Sequence, residues 1–422
     1  MLKKLILENW KSFRYAELPL DPLTVLIGTN ASGKSNVVEA LEFLHRIVGA
    51  DTIKVALGGN KRLSTIRGGV EWAALKPETQ FTLKSLIQGN DDITDYFYKI
   101  TIETKPNAQV FDEYIIREKS QSENNSATEE NFLIKTNFDE KLSLFMTDIF
   151  NRDNQRVSVY GSDNKISVLN FVKYIEIDGD KENIQDKMLG DEINVVVQCL
   201  DKIFILNPIP DTMRDYSPLS DNLESDASNI AGVLAALNDK EKSEVETALS
   251  RYIKDFPEGD IKKVFAEAVA PLKTEAMLYC EEEWKPGETT LINAKTMSDG
   301  TLRLLAILTA LLTRPEGSQL VIEEIDNGLH PSRAELLVRT LREIGSKRKI
   351  DILLTTHNPA LLDALGPEIV PFVVVAHRDS ETGESKLTLL EDIENLPLLL
   401  ASGTLGKLAT KGAIEKSLSD NK

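Results

Sequence analysis

Gly28-Thr29-Asn30-Ala31-Ser32-Gly33-Lys34-Ser35 is the stretch that decides the fold of this 422-residue chain. It follows the apolar run Leu23–Ile27, and this order is typical of a strand, a glycine-rich loop and a helix. Glycines let backbone N–H groups curl around a phosphate, and the N-terminus of the following helix favours negative charge. The sequence therefore predicts a phosphate-binding loop in an α/β core, followed by a helix from Ser35 to about Val48.

Several residues of this loop are candidates for contacts with a bound nucleotide. The Lys34 ammonium is expected to reach the outer phosphates, and the Ser35 hydroxyl is expected to hold Mg²⁺. The predicted ligands are therefore ATP and Mg²⁺. The candidate nucleotide-binding residues of the segment are Gly28, Asn30, Ser32, Gly33, Lys34, Ser35 and Asn36.

The composition limits the class of protein. A net charge of −18 argues against a chain that coats nucleic acid by itself, because phosphate contacts need clustered positive charge. No run of about 18 apolar residues is present for a membrane span, and the N-terminus lacks the features of a signal peptide. The two cysteines, Cys199 and Cys280, are too few for a disulfide framework. We expect a cytoplasmic chain without a membrane segment.

Changes in pattern divide the chain into four parts, of which the first and third form the nucleotide-binding core. We expect a core segment with the phosphate loop at 1–75, an inserted β-rich and then helical region at 76–290, the rest of the core at 291–390, and a short tail at 391–422.

The inserted region changes character along its length. Short alternating segments between Thr79 and Asn207 predict antiparallel strands, and the polar connection Glu118–Asn131 predicts a mobile loop. Helices are expected at Ala227–Leu237, Lys240–Lys254 and Ile261–Ala270. No stretch sustains apolar heptads over several turns, so we expect no long coiled-coil arm.

Two adjacent carboxylates end the strongly apolar run Leu320–Ile322. A phosphate-loop fold places its metal-binding and water-activating acids at such a strand end. Glu323 is therefore the candidate metal ligand, and Glu324 is the candidate general base that orients or deprotonates the attacking water. An ordinary acidic strand end is the alternative interpretation.

Two further segments carry candidate contacts to phosphate. Ser298-Asp299-Gly300 opens an apolar helix, whose first N–H groups suit an anion, although a simple helix cap is the alternative. His357 follows the buried strand Ile352–Leu354, where its imidazole is placed to hydrogen-bond the γ-phosphate or the attacking water.

Four motifs taken together resemble those of the RecF-like, ABC-type AAA ATPases related to the overcoming-lysogenization-defect ATPases. The resemblance covers two blocks, Met1–Gly69 and Leu291–Val375, and is weak between them. The motifs are Ser298-Asp299-Gly300, Glu323-Glu324, Asp326-Asn327-Gly328-Leu329-His330-Pro331 and Thr355-Thr356-His357-Asn358-Pro359.

This resemblance implies a P-loop ATPase head of the ABC type, with an antiparallel β-rich lobe and a helical insertion. Such heads dimerise head to tail, with ATP between the phosphate loop of one subunit and the Ser298 segment of the other. The implied roles are phosphate and Mg²⁺ binding by Lys34 and Ser35, metal support by Glu323, water polarisation by Glu324, a dimer seam at Asp326–His330, and γ-phosphate sensing by His357.

The chain departs from the family pattern in three ways. A glutamine that contacts the metal usually follows the first core strand, and here Gln80 and Gln88 are both candidates. The first acid is Glu323, where many phosphate-loop enzymes have aspartate. Relatives of the overcoming-lysogenization-defect group carry a Toprim nuclease domain after the core, and the segment after His357 is too short for one, so we expect none here.

Nuclease activity and DNA binding have weak signals elsewhere in the chain. The acidic turn Glu176–Asp180 has carboxylates that suit a metal, but a plain acidic turn is the commoner explanation. A set of basic residues could contact DNA or belong to a solvated surface of mixed charge. These residues are Lys3, Lys4, Lys11, Arg14, Lys61, Arg62 and Arg67.

The sequence thus favours an ATP-hydrolysing switch that acts as a homodimer and regulates a separate effector protein, for which a nuclease is one candidate. A role in bacterial anti-phage defence rests on the resemblance alone. The alternative is a DNA repair or chromosome-maintenance ATPase, like RecF and SMC proteins, that binds duplex DNA directly. A third interpretation is a nucleotide-dependent scaffold with little turnover.

Overall fold

The structure is a computed structural model, and its contacts divide the chain into two compact units. Unit 1 contains Met1–Asp21, Thr29–Ile203 and Val374–Thr388, and unit 2 contains Pro22–Gly28, Phe204–Val373 and Leu389–Lys422. The described residues are 1–61, 63–91, 93–119, 131–139, 144–150, 156–160, 164–170, 184–254, 261–269, 272–326 and 333–420. Most of the predicted loop 118–131 and all of the acidic turn 176–180 lie outside them.

An antiparallel sheet is the main element of unit 1, which confirms the strands expected after Thr79. Its strands are β1 (Leu2–Trp10), β2 (Phe13–Pro19), β4 (Gln80–Gln88), β5 (Thr94–Glu103), β6 (Gln109–Lys119), β7 (Asn131–Asp139), β8 (Leu144–Phe150) and β9 (Arg156–Tyr160). Among the described residues their order is β2-β1-β4-β5-β6-β7-β8-β9, and neighbouring strands pair antiparallel. Strands β17 (Val373–Arg378) and β18 (Ser385–Leu389) are neighbours, and most of their residues belong to the same unit.

The helix after the phosphate loop, α1 (Lys34–Ile47), forms as predicted and packs in the core of unit 1. Its Phe43 ring joins Trp10 and Phe81, with ring centroids 4.9 Å apart for Trp10 and Phe81 and 5.6 Å apart for Phe43 and Phe81. These aromatic contacts hold α1 against β1 and β4. The other helices of unit 1 are α2 (Ile53–Gly58) and α3 (Ile184–Asp201), and α3 lies in a stretch for which the sequence predicted strands.

A buried carboxyl group joins two distant segments of unit 1. Glu113 on β6 is 1% exposed and accepts hydrogen bonds from the Tyr98 hydroxyl at 2.8 Å, the Ser167 hydroxyl at 2.6 Å and the Val168 N–H at 2.9 Å. Burial raises the pKa of Glu113 above its usual value. The segment 164–170 is in turn hydrogen-bonded to the chain after α1, because Ile53 N donates to Lys165 O at 2.7 Å.

A second sheet, in which three strands are parallel, forms the core of unit 2. Its strands in this unit are β3 (Leu23–Ile27), β10 (Ile203–Leu206), β15 (Gln319–Ile322) and β16 (Asp351–Thr355). Their order is β10-β15-β16-β3, and β16 pairs in parallel with both β15 and β3. Every residue of β3, β15 and β16 is buried, as expected for strands covered on both faces. The helices α7 (Asp299–Thr313), α8 (Ala334–Arg348) and α9 (Pro359–Ala364) connect or follow these strands.

A second antiparallel sheet in unit 2 corrects one prediction. Ile261–Ala270 was expected to be a helix, but Ile261–Ala268 is a strand. Its Ile261, Val264 and Ala266 are buried and it pairs along β13, so tertiary pairing decided the structure of a short run that fits either pattern. The strands are β11 (Ser217–Pro218), β12 (Ile261–Ala268), β13 (Glu275–Lys285) and β14 (Glu288–Asn293), and the nearby helices are α4 (Pro210–Met213), α5 (Ile230–Ala236) and α6 (Asp239–Lys254).

The C-terminal tail packs on α9 in unit 2. Its helices are α10 (Leu396–Ser402), α11 (Leu405–Thr410) and α12 (Ala413–Asp420). The Asp363 carboxylate accepts hydrogen bonds from Gly406 N at 2.7 Å and from the Thr404 hydroxyl at 3.0 Å. A Cβ atom on Gly406 would lie 2.1 Å from the Pro359 carbonyl oxygen, so the contact needs glycine. Of the helices in the described parts of the chain, none has the length and apolar character to cross a bilayer.

Candidate functional site

The phosphate loop has the backbone conformation that its glycines predict. Gly28 and Gly33 have φ values of +143° and +113°, in the region that favours glycine. A Cβ atom on Gly33 would lie 2.8 Å from Phe13 Cζ and from Ser385 Oγ, so the position has no room for a side chain. Ala31 also has a positive φ, +63°, although it carries a Cβ atom. The loop is therefore held in a tight turn that local preference alone does not favour.

Side chains of the loop suit a bound phosphate. The Ser32 hydroxyl is buried and has no hydrogen-bond partner among the described residues. A buried hydroxyl is rarely left unpaired, and a phosphate oxygen is an acceptor that satisfies it. Lys34 Nζ donates to the Thr29 carbonyl oxygen at 3.0 Å, and Arg378 Nε donates to Ala31 O at 2.8 Å. The residues present thus fit a phosphate group.

Hydrogen bonds also fix the start of α1. The Asn36 side-chain amide donates to Ser12 Oγ at 2.8 Å, and Ser385 Oγ donates to the same oxygen at 2.8 Å. The backbone carbonyl oxygen of Asn36 accepts a hydrogen bond from Trp10 Nε1 at 2.7 Å. Asn36 therefore connects α1 to the β1–β2 turn, while Ser35 is half-buried at the first turn of the helix.

In unit 2, the acid pair lies on a turn directly after β15. Glu323 is half-buried and Glu324 is exposed, and Glu324 has a φ of +46°. The Glu324 N–H donates to the Thr355 hydroxyl at 2.8 Å, and Ile325 N donates to Thr355 O at 3.2 Å. The end of β16 thus holds the Glu324 backbone in an uncommon conformation.

His357 lies at the same edge of the parallel sheet as the acid pair. The Thr356 hydroxyl donates to the Asp326 carboxylate at 2.6 Å and accepts from Asn358 N at 3.0 Å. Asn358 then caps α9 by accepting from Ala360 N at 2.9 Å. The structure therefore places the turn with Glu323 and Glu324, and the exposed His357, at the carboxyl ends of the adjacent strands β15 and β16. Of the predicted dimer seam Asp326–His330, residues 327–330 lie outside the described residues.

The Ser298 segment begins α7. Ser298 Oγ accepts from Thr301 N at 3.1 Å, so Ser298 is the N-cap that the simple alternative predicted. Ser298 and Asp299 are exposed and Gly300 is buried. A cap of this kind leaves the first N–H groups of the helix facing outward, which is compatible with an anion.

Magnesium bound with phosphates needs few protein ligands. Within the described parts of the chain, no group of three or more His, Cys, Asp or Glu side chains is arranged to hold a metal by itself. Mg²⁺ at phosphates typically takes only one or two carboxylates or hydroxyls from the protein. Ser35 and Glu323, one hydroxyl and one carboxylate, are of the right chemical type.

Most of the candidate DNA-contacting residues have carboxylate partners in unit 1. This pairing favours the mixed-charge surface over a DNA-binding strip. The pairs are Lys3 with Asp95 at 2.7 Å, Lys4 with Glu17 at 2.9 Å, Lys11 with Glu39, Arg14 with Glu78 at 2.7 Å and Arg67 with Glu39 at 2.8 Å. Arg62 lies outside the described residues.

The two glutamines that are candidates for contacting the metal, Gln80 and Gln88, are the end residues of β4, and Gln80 Nε2 donates to the Glu103 carboxylate at 3.5 Å.

Sequence reasoning found the motif residues but missed the residues that support them. Thr355 had a signal, since it lies in one of the four motifs, but its hydrogen bond with the Glu324 backbone was not predicted. The sequence had no signal for Ser12, Ser385 and Arg378, since they come from segments without any motif. Their contacts to the loop and to Asn36 depend on the folded chain.

The fold resembles that of structural-maintenance-of-chromosomes (SMC) heads. An SmcHead bound to the C-winged helix domain of ScpA aligns at 12% identity and a TM-score of 0.50, over 92% of this chain and 96% of that chain. The SMC head domain from Thermotoga maritima aligns at 14% identity and a TM-score of 0.41, over 92% and 98%. An Smc head with an extended coiled coil, bound to the C-terminal domain of ScpA and derived from Pyrococcus furiosus, aligns at 12% and 0.44, over 95% and 99%.

The first of these likenesses shows the fold, that of a P-loop ABC-type ATPase head, as predicted. Among curated proteins, none matches the sequence significantly. The profile of one protein family matches residues 23–363, which is most of the chain and includes the phosphate loop, the Ser298 segment, the acid pair and His357. The chain therefore belongs to the P-loop ATPase family described as "AAA domain, putative AbiEii toxin, Type IV TA system".

Proposed function

We propose that this protein is an ATP-hydrolysing switch, in which ATP closes a head-to-tail dimer and hydrolysis opens it. The phosphate loop is the observation that carries the proposal. Its buried Ser32 hydroxyl lacks a protein partner among the described residues, and its Gly33 has no space for a side chain. Both features suit a loop that closes around phosphate oxygens.

Individual roles follow from the motifs. Lys34 would bind the outer phosphates, and Ser35 and Glu323 would hold Mg²⁺, which neutralises phosphate charge when it is bound. Glu324 would accept the proton of the water that attacks the γ-phosphorus, so that the bond to the β-γ bridging oxygen breaks and ADP and phosphate leave. His357 would hydrogen-bond the γ-phosphate.

The Ser298-Asp299-Gly300 segment would act in trans. In the proposed dimer it faces the ATP that is bound to the phosphate loop of the other subunit. Binding of ATP and association of subunits are then thermodynamically linked, because the nucleotide contacts both subunits only in the closed dimer. Opening after hydrolysis releases both ADP and the partner subunit.

The dimer would regulate a separate effector protein, for which a nuclease is one candidate, in a bacterial anti-phage module. Family membership supports this proposal, since the family description names a toxin and a type IV toxin–antitoxin system. The carboxylate partners of the basic residues in unit 1 argue against the alternative, in which the head binds duplex DNA directly.

Steady-state ATP hydrolysis at increasing protein concentration, with and without duplex DNA, tests the proposal. We expect turnover per subunit to rise with concentration and to be indifferent to DNA. Lys34→Ala should abolish ATP binding, and Glu324→Gln should keep binding but prolong the ATP-bound state. Turnover that is independent of concentration contradicts the dimer, stimulation by DNA favours the alternative, and ATP binding without turnover favours the scaffold.

A further inference from the structure

Arg214, which no sequence motif contains, contacts the chain directly before and after Ser298. It follows α4, and its side chain is 26% exposed. One terminal nitrogen, Nη1, donates to the carbonyl oxygens of Met297 at 2.7 Å and Ala294 at 3.2 Å. The other, Nη2, donates to the Asp299 carboxylate. A single guanidinium thus spans the turn that leads into α7.

The residues after Arg214 contact the same turn. Lys295 Nζ lies 3.4 Å from the Asp215 carboxylate and 5.3 Å from the centroid of the Tyr216 ring. Both side chains of this ion pair are more than half exposed, so we expect it to contribute little by itself. Of these polar contacts, the Arg214 guanidinium is therefore the stronger attachment of the turn, beside the buried side chains of Ala294 and Met297.

The chemistry of arginine suits this task. A guanidinium presents several donors in a rigid planar fork, and hydrogen bonds from a charged donor are stronger than neutral ones. Backbone carbonyls accept these donors, so the contact fixes main-chain conformation as well as a side chain. Ala294 and Met297 are buried, but Ser298 and Asp299 are exposed, so the Arg214 contacts restrict the part of the segment that packing holds least.

We propose that Arg214 is a positioning residue that holds Ala294–Asp299 in one conformation, so that the Ser298 segment is presented correctly to the ATP of a second subunit. This inference rests on the proposed function. It also assigns a different role to Asp299, whose carboxylate holds Arg214 instead of contacting nucleotide. Arg214 acts through the segment and does not itself touch ATP.

Arg214→Gln tests the proposal, with Arg348→Gln as the matched control. Arg348 is also half-buried, and it donates to Leu311 O and Arg314 O at 2.9 Å each, beside the opposite end of α7. Both variants remove carbonyl hydrogen bonds at an end of the same helix. We expect only Arg214→Gln to lower kcat, by about tenfold or more, because small displacements of a positioned group are costly. The ATP affinity of the isolated subunit should stay within about twofold, since its phosphate loop is unchanged.

Hydrogen–deuterium exchange gives a readout that is independent of activity. Amides of residues 294–301 should exchange faster in Arg214→Gln and at the wild-type rate in Arg348→Gln. Asp299→Asn, which keeps an acceptor but removes the charge, should lower kcat in the same direction by a smaller factor. This variant serves as the test if Arg214→Gln does not fold.

The outcomes separate this inference from the proposed function. If the wild-type protein hydrolyses ATP and Arg214→Gln loses no more turnover than Arg348→Gln, the inference is wrong and the proposed function stands. The same conclusion follows if both Arg214→Gln and Asp299→Asn keep the wild-type kcat. If the wild-type protein shows no concentration-dependent turnover, the proposed function fails and Arg214 loses its role with it.

Discussion

The Thr355 hydroxyl holds the residue proposed as the general base. It accepts the Glu324 N–H at 2.8 Å while Glu324 has a φ of +46°. A non-glycine residue in this region carries strain of about 1–2 kcal/mol, so the conformation needs support from its neighbours. Thr355 is 2% exposed, so water does not readily replace its oxygen.

We therefore predict that Thr355→Val and Thr355→Ser behave differently. Valine keeps the shape but removes the hydroxyl that accepts the Glu324 N–H, which costs about 1–3 kcal/mol of stability. It should also lower kcat about tenfold by moving Glu324. Serine keeps the hydroxyl and should keep kcat within about twofold. Thermal unfolding and ATP turnover measure both effects, and equal kcat values in the two variants would contradict this role of Thr355.

The effect of a side chain at Gly33 can be predicted and compared with a matched control, Gly383, in the same unit. Gly33→Ala adds a Cβ atom 2.8 Å from Phe13 Cζ at a φ of +113°, so the loop must shift. Gly383 also has a positive φ, +71°, but a Cβ atom there meets nothing within 4 Å. Gly383→Ala should cost only the backbone strain of about 1 kcal/mol and keep ATP affinity. Gly33→Ala should lose stability and ATP binding, as measured by thermal unfolding and nucleotide titration, and unchanged binding would count against the loop geometry.

The buried Glu113 carboxyl group should make the stability of the folded protein depend on pH. Burial raises the pKa of Glu113, so the folded protein keeps a proton that the unfolded chain loses near pH 4.3. The contribution of Glu113 to stability is therefore largest below about pH 4.3 and falls as the pH rises through the raised pKa. The Glu113→Gln side chain cannot ionise. As the pH rises across this range, the melting temperature of Glu113→Gln should therefore increase relative to that of the wild-type protein. A difference that is constant with pH would contradict this interpretation.

At the scale of elements, strongly periodic segments were predictable. The phosphate loop, α1 and the buried strands β15 and β16 are confirmed because each has a clear apolar pattern and a clear end. The segment Ile261–Ala268 was not predictable, since a short run with mixed spacing fits a helix or a strand until β13 pairs with it. Local pattern decides an element only when tertiary pairing does not compete with it.

The C-terminal tail provides an element-scale prediction. Gly406→Ala places a Cβ atom 2.1 Å from the Pro359 carbonyl oxygen, so α11 should detach from α9. In the control Gly403→Ala, the Cβ atom would lie 3.7 Å from Lys407 Cβ, which is an ordinary contact at an extended φ of 172°. Faster amide exchange in residues 396–418 should therefore appear in Gly406→Ala only. Equal exchange in both variants would show that this packing does not anchor the tail.

At the scale of the whole molecule, the residues of one candidate function are distributed over the chain. The sequence identified the motif residues, because each motif is local. It did not identify Arg214, Ser12 or Ser385, and it did not predict the contact of Thr355 with Glu324, because these depend on contacts between segments that are far apart in sequence. Motifs therefore predict the chemistry, and folding determines which other residues position it.

The central claim is that two subunits share each ATP site, and mixing two inactive variants tests it most directly. Lys34→Ala removes the phosphate-binding lysine, and Ser298→Arg places a bulky cation at the start of α7. Each variant alone should be inactive. A mixed dimer keeps one intact site, formed by the phosphate loop of the Ser298→Arg subunit and the Ser298 segment of the Lys34→Ala subunit. An equimolar mixture should thus regain up to about a quarter of wild-type turnover, as random pairing in a two-fold dimer requires. A mixture no more active than the sum of its parts would contradict the shared site.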